Sequence, residues 1–218
     1  GKDCSTETSI PKEEIGVVMD EVGFPECLTP TQIGLIMKDS FNNWDSSLYS
    51  QYLQTFHLPE KKEFGQFSKG MKMKLGIAVA LSHHPKLLIL DEATSGLDPV
   101  VRDEILDIFN DFTRDESHAI LISSHIVSDL EKICDYIAFL HKGKLVLYEE
   151  KDRLLEEYGI IQCTKEQLQE LDPSAIIGVK QTSYNTEAVI LRDQIPEGFS
   201  VQPVSIEDLF IFMIKEAH

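Results

Sequence analysis

Apolar positions change their period several times along the chain, and each change predicts a different element. Ile15 to Met19 is a short continuous apolar run, the pattern of a strand. Thr29-Pro30-Thr31-Gln32 reads as a helix start, with Thr at the N-cap, Pro at the first helical position and Gln where a capping box needs it. Ile33, Ile36, Met37 and Phe41 follow at helical spacing. Leu48, Tyr49, Tyr52, Leu53 and Phe56 form a second helical face, expected to end at Pro59. Residues 29–58 therefore predict a small helical unit.

Beyond it the texture alternates. Ser68 is placed to cap a helix running to about His83. Lys86 to Leu90 is a buried-strand run that ends in Asp91-Glu92. Asp98-Pro99 opens a helix with Val101, Ile105, Ile108, Phe109 and Phe112 on one face. Ala119 to Ile122 reads as a second strand buried on both faces, ending at Ser123-Ser124-His125. A helix to Cys134, a hairpin turning at Lys142-Gly143 and a helix at about 150–158 follow. Strands at 175–179 and 187–191 and helices capped by Thr164 and Ser205 complete a small α+β appendage at 159–218. Strand, helix, strand, helix with short links predicts an α/β unit with a parallel sheet.

Composition narrows the partners. The chain has 218 residues, with 37 acidic against 20 basic side chains, a net charge of −17. That surplus disfavours a nucleic-acid partner, because such a protein needs a basic face to displace phosphate counterions. Apolar runs such as 76–81 and 209–214 fall far short of the ~20 residues a spanning helix needs. The 4 cysteines make no C-x-x-C pair and no zinc spacing, so free thiols are expected. The first residue is Gly1 rather than Met, which predicts a chain processed or cut from something longer.

Three segments carry candidate chemistry. Leu87-Leu88-Ile89-Leu90-Asp91-Glu92 places two carboxylates at the carboxyl end of a buried strand, where open α/β sheets bind ligands. One acid there can hold Mg²⁺ through water while a second orients or deprotonates an attacking water. Adjacent parallel strands present their carboxyl ends together, which brings His125 toward Glu92. Upstream, Phe67-Ser68-Lys69-Gly70-Met71 opens a helix whose N-terminal amides suit a phosphate.

In this order the three segments resemble the ATP-binding subunit of ABC transporters, of the bacterial drug- and antibiotic-exporter branch. Residues 87–92 look like its Walker B strand, Ser95-Gly96-Leu97-Asp98 like its D-loop, His125 like its switch histidine and 67–71 like its signature. The resemblance covers about residues 15–148. It implies a P-loop NTPase-like parallel sheet with a helical subdomain. It divides the chain into a loop remnant at 1–14, a Q-loop region and helical subdomain at 15–66, an ATPase core at 67–158 and the appendage at 159–218.

It also implies roles. Asp91 would hold the Mg²⁺ shell, Glu92 would polarise the hydrolytic water and His125 would contact the γ-phosphate. Ser68 and Gly70 would touch ATP bound by a second ATPase subunit, and Asp98 would couple the two sites. The implied cofactors are ATP and Mg²⁺. The implied partners are a transmembrane permease and a second ATPase subunit. The implied location is cytoplasmic, peripheral on the inner face of the cell membrane.

The departures are specific. Lys69 replaces a signature glycine, Met71 a glutamine and Ala93 a proline. Asp20, followed by Glu21, stands where a Q-loop glutamine is expected; an acid can ligate Mg²⁺ but cannot donate as an amide does. No G-x-x-x-x-G-K-[ST] phosphate cradle occurs. The expectation is an ABC ATPase truncated at its N-terminus, lacking the P-loop strand and unable to bind or hydrolyse ATP by itself. Two other readings are an ATP-free ABC-like interaction module and a soluble ABC protein outside transport.

Overall fold

A computed structural model describes residues 12–181, 186–196 and 198–216. The expected loop at 1–14 lies mostly outside these residues, as does Cys4; residues 12–14 form one 3-10 turn. The chain divides into two compact units, Gly1–Ile126 and Val127–His218.

The first unit is built on a parallel sheet of three strands, β1 (Ile15–Val18), β2 (Leu87–Asp91) and β3 (Ala119–Ser123), in the order β1-β2-β3. Val17, Ile89 and Leu121 fall in one row across it. Leu88 and Leu90 point to the opposite face and are fully buried. Between β1 and β2 the chain makes three helices, α1 (Pro30–Ser40), α2 (Ser46–Thr55) and α3 (Lys69–Leu81). Leu75, Ile77 and Ala78 bury α3, which packs on β1. Helix α4 (Pro99–Phe112) links β2 to β3 and buries Ile105, Leu106 and Phe109.

The local signals produce the helix starts they predict. Thr29 and Gln32 form the reciprocal capping box, each side chain bonding the other's backbone amide. Asp45 caps α2 through the amides of Ser47 and Leu48, and those bonds hold its carboxyl below its ordinary value. Gly34 lies flat under the ring of Tyr49; a Cβ there would sit 2.6 Å from Cε1. The buried Tyr49 hydroxyl donates to the Pro30 carbonyl at 2.9 Å, and burial raises its pKa. Helix α2 ends before Pro59, because His57 adopts a left-handed φ of 53°. Of the expected α1 face, Ile33 is buried, but Ile36 is 46% exposed beside the exposed Leu35.

Just beyond α3, His83 is buried and stacks on Phe41 with centroids 4.2 Å apart. Its Nδ1 donates to the Glu13 carbonyl at 3.1 Å, and its own carbonyl accepts from Asn43. Burial lowers its pKa, so the ring is held neutral.

The expectation that 119–122 is buried on both faces is corrected. Residues of β3 alternate between exposed and half-buried, and Leu121 is 63% exposed. Among the described residues β3 ends the sheet and pairs only with β2, so its outer edge has no neighbour there.

The second unit contains α5 (Val127–Ile133), the antiparallel hairpin β4 (Tyr136–His141) and β5 (Lys144–Glu150), and α6 (Lys151–Glu157). Lys142 and Gly143 both take positive φ, 49° and 74°, as a two-residue hairpin turn requires. There follow β6 (Tyr158–Cys163), α7 (Lys165–Gln169), β7 (Ile176–Gln181), β8 (Thr186–Leu191), β9 (Val201–Gln202) and α8 (Ile206–Glu216). The sheet order is β7-β8-β6-β9. Strands β6 and β9 are additions to the sequence reading. Ile137, Phe139, Leu154, Val189, Ile206 and Leu209 close a core within this unit. No helix of the described residues is long and apolar enough to cross a membrane.

Candidate functional site

Strand β2 delivers Asp91 as its last residue, with Ser123 of β3 directly opposite. The Ser123 hydroxyl donates to Asp91 Oδ1 at 2.6 Å, and the Glu92 amide donates to the Ser123 carbonyl at 3.0 Å. Glu92 leaves the strand with φ +50°, a conformation uncommon for a residue with a side chain. Its carbonyl accepts from Ser95 at 3.0 Å, closing a turn under the acid. Ala93 and Thr94 are fully buried behind it.

This turn brings Glu92 to His125. Nδ1 of the imidazole lies 2.6 Å from Glu92 Oε2, with the two side chains 69% and 28% exposed. The two groups are close but not aligned as a hydrogen bond, since Oε2 is buried and has no well-directed donor. The ends of β2 and β3 thus gather Asp91, Glu92, Ser123 and His125. The carboxylate and imidazole suit general-base work on a water, the carboxylate as acceptor and the imidazole as its orienting partner.

Among the described residues no group of three or more His, Cys, Asp or Glu side chains makes a metal cage. Mg²⁺ is ordinarily held by one or two carboxylates together with waters and substrate phosphates. Asp91, at a strand end with one oxygen already fixed by a hydroxyl, is a donor of that type.

Ser68, Gly70 and Asp98 meet elsewhere in the same unit. They line an open pocket of about 360 Å³ with Lys69, Lys74 and Leu97. Ser68 caps α3, its hydroxyl accepting from the Met71 amide at 3.3 Å. Asp98 caps α4, accepting from Val100 and Val101 at 3.2 and 3.1 Å. Two helix N-termini, two lysines and the Asp98 carboxylate therefore border one cavity.

Both lysines are tied to acids. Lys69 Nζ is 2.8 Å from Asp20 Oδ1, and Lys74 Nζ is 2.5 Å from Glu104 Oε2. Asp20 thus stands against the helix start that carries Lys69. The Lys69 ammonium also crosses Gly96, where a Cβ would lie 3.3 Å from Nζ. Sequence reasoning gave neither the Asp20–Lys69 pair nor a task for Ser123. The signal for the second was present: the serine closes the strand two positions before His125. Cys27, Cys134 and Cys163 are free thiols, as expected.

Residues 1–95 match the model of the ABC transporter family. The lantibiotic transport ATP-binding protein SrtF of Streptococcus pyogenes is 48% identical over 93 residues, 43% of this chain and 40% of that protein. The bacitracin transport ATP-binding protein BcrA of Bacillus licheniformis is 38% identical over 134 residues, 61% of this chain and 44% of that protein. The chain thus spans 40% and 44% of the lengths of these curated relatives. A solved ATP-binding subunit of an ABC transporter is 26% identical, covers 66% of this chain and 61% of its own, and superposes with a TM-score of 0.58. The α/β fold with its parallel sheet is that of ABC ATPase nucleotide-binding domains.

Proposed function

Taking the family match over residues 1–95 as premise, we propose that this chain is part of the ATP-hydrolysing subunit of an ABC exporter that moves an antibiotic or antimicrobial peptide. The observation that carries the proposal is the meeting of Asp91, Glu92 and His125 at the ends of two parallel strands, in a chain similar to antibiotic-transport ATP-binding proteins.

In this reading Glu92 accepts a proton from the attacking water, and His125 holds the carboxylate in position and reaches toward the γ-phosphate. Asp91 would hold Mg²⁺ through water; when bound, the ion neutralises charge on the phosphates. Ser68, Gly70 and Asp98 border the pocket that receives the phosphates of ATP carried by a second subunit. The partners are that second subunit and a membrane permease, which places the protein on the cytoplasmic face of the membrane. The exposed Leu35 and Ile36 of α1 offer the permease an apolar contact within residues 20–58.

The test is Glu92→Gln in the complete gene product. It keeps the side chain's size and removes the base, so hydrolysis is expected to fall ~100-fold or more while ATP binding persists. Unchanged turnover overturns the assignment. The 218-residue polypeptide alone, which has no G-x-x-x-x-G-K-[ST] cradle, is expected to bind Mg-ATP no tighter than ~1 mM by calorimetry.

A further inference from the structure

Ser123 bonds both residues at the end of β2, the side chain of Asp91 and the backbone of Glu92. Its carbonyl accepts the Glu92 amide at 3.0 Å, and its hydroxyl donates to Asp91 Oδ1 at 2.6 Å. The two contacts lie on neighbouring strands in register, Asp91 opposite Ser123, so sheet pairing itself sets their distance. The adjacent serine does something else. Ser124 Oγ accepts the amide of Ile126 at 3.0 Å and shapes the backbone after His125. The two serines are therefore not interchangeable, and only Ser123 reaches a candidate metal-holding carboxylate.

We propose that Ser123 is a positioning residue for Asp91: its hydroxyl fixes the carboxylate that takes the water shell of Mg²⁺. The proposal rests on the ATP-hydrolysing reading above and adds a residue to it. The physical reason is that a carboxylate acting through water places those waters by its own orientation, so its rotation shifts the waters it holds. A hydroxyl that donates to one oxygen stops the rotation and presents the other oxygen in one direction. Hydrogen-bond donors behind metal-holding groups are generally worth 10–100-fold in metal affinity or activity. Backbone pairing through the Ser123 carbonyl survives any substitution, so the hydroxyl can be tested by itself.

The experiment uses the complete gene product with Mn²⁺ as the probe, its free concentration followed by electron paramagnetic resonance in the presence of ATP. Ser123→Ala is expected to weaken Mn²⁺ retention about 10-fold, with metal-free ATP affinity and unfolding midpoint unchanged. Ser123→Thr, which keeps the hydroxyl, is expected to restore retention. Wild-type retention in Ser123→Ala overturns the proposal. So does a threonine variant no better than alanine, or a parallel loss of metal-free ATP binding, which would mark a merely structural serine. A wild-type protein that retains no Mn²⁺ with ATP sinks the ATP-hydrolysing reading itself, and the role of Ser123 with it.

Discussion

Glu92 and His125 meet at 2.6 Å, and neither side chain caps a helix or fills a core. Ser68 and Asp98, at the pocket, each accept backbone amides at the start of a helix. The first pair is spare to the fold and even costs it something, since Glu92 sits at φ +50°. The second pair is part of the scaffold before any ligand arrives. The contrast suggests how to tell chemistry from architecture in one unit: under the proposed function, substitution at the strand ends is expected to move rate without stability, whereas substitution at the helix starts is expected to move stability as well.

The largest effect expected is at Glu92. Glu92→Gly removes the proposed base and relieves the left-handed strain, so under the proposed function turnover is expected to fall at least ~100-fold. Stability, followed by denaturant unfolding, stays level or rises by about 1 kcal/mol, the balance of strain relief against glycine's greater freedom when unfolded. A destabilised glycine variant would break the comparison, because it would show the Glu92 side chain supporting the fold.

Next comes Asp98→Ala, which strips two amides of their acceptor and is expected to cost about 1–2 kcal/mol. Ser68→Ala, losing one longer bond, is expected to cost about 0.5–1 kcal/mol in the same unfolding measurement. If either leaves stability untouched, the pocket residues are as dispensable to the scaffold as the strand-end pair.

The smallest effect belongs to the Lys69–Asp20 pair, whose side chains are 47% and 45% exposed. A double-mutant cycle with Lys69→Met and Asp20→Asn is expected to give a coupling of about 0.2–1 kcal/mol. The coupling should shrink as salt rises toward 1 M. A salt-independent coupling above that range would instead place the pair among the scaffold's fixed contacts.

What the chain reveals of itself follows the range of the interaction. The capping box of Thr29 and Gln32, the Asp98-Pro99 start and the Lys142-Gly143 turn are set by neighbours a few residues apart, so they stand in the sequence as legibly as in the fold. The acids at the end of β2 were legible because a continuous apolar run stops abruptly at them. The exposure of β3 was not, since it depends on which strands and helices lie beside it and not on its own Ile and Leu. Strand β9 is only two residues long, with no period to detect, and β6 begins directly where α6 ends. Asp20 and Lys69 are separated by 49 positions, and nothing local announces their pairing.

The row of Val17, Ile89 and Leu121 across the sheet has a practical consequence at the bench. Val17 and Leu121 are 52% and 63% exposed, so this polypeptide carries an apolar stripe on its folded surface. Environment-sensitive dyes that brighten on apolar surface should bind the native state and begin a melt already fluorescent. Their signal would then report dye leaving the stripe as well as the core opening. Midpoints for the variants above should therefore be read from far-ultraviolet circular dichroism, which follows the helices and ignores the stripe.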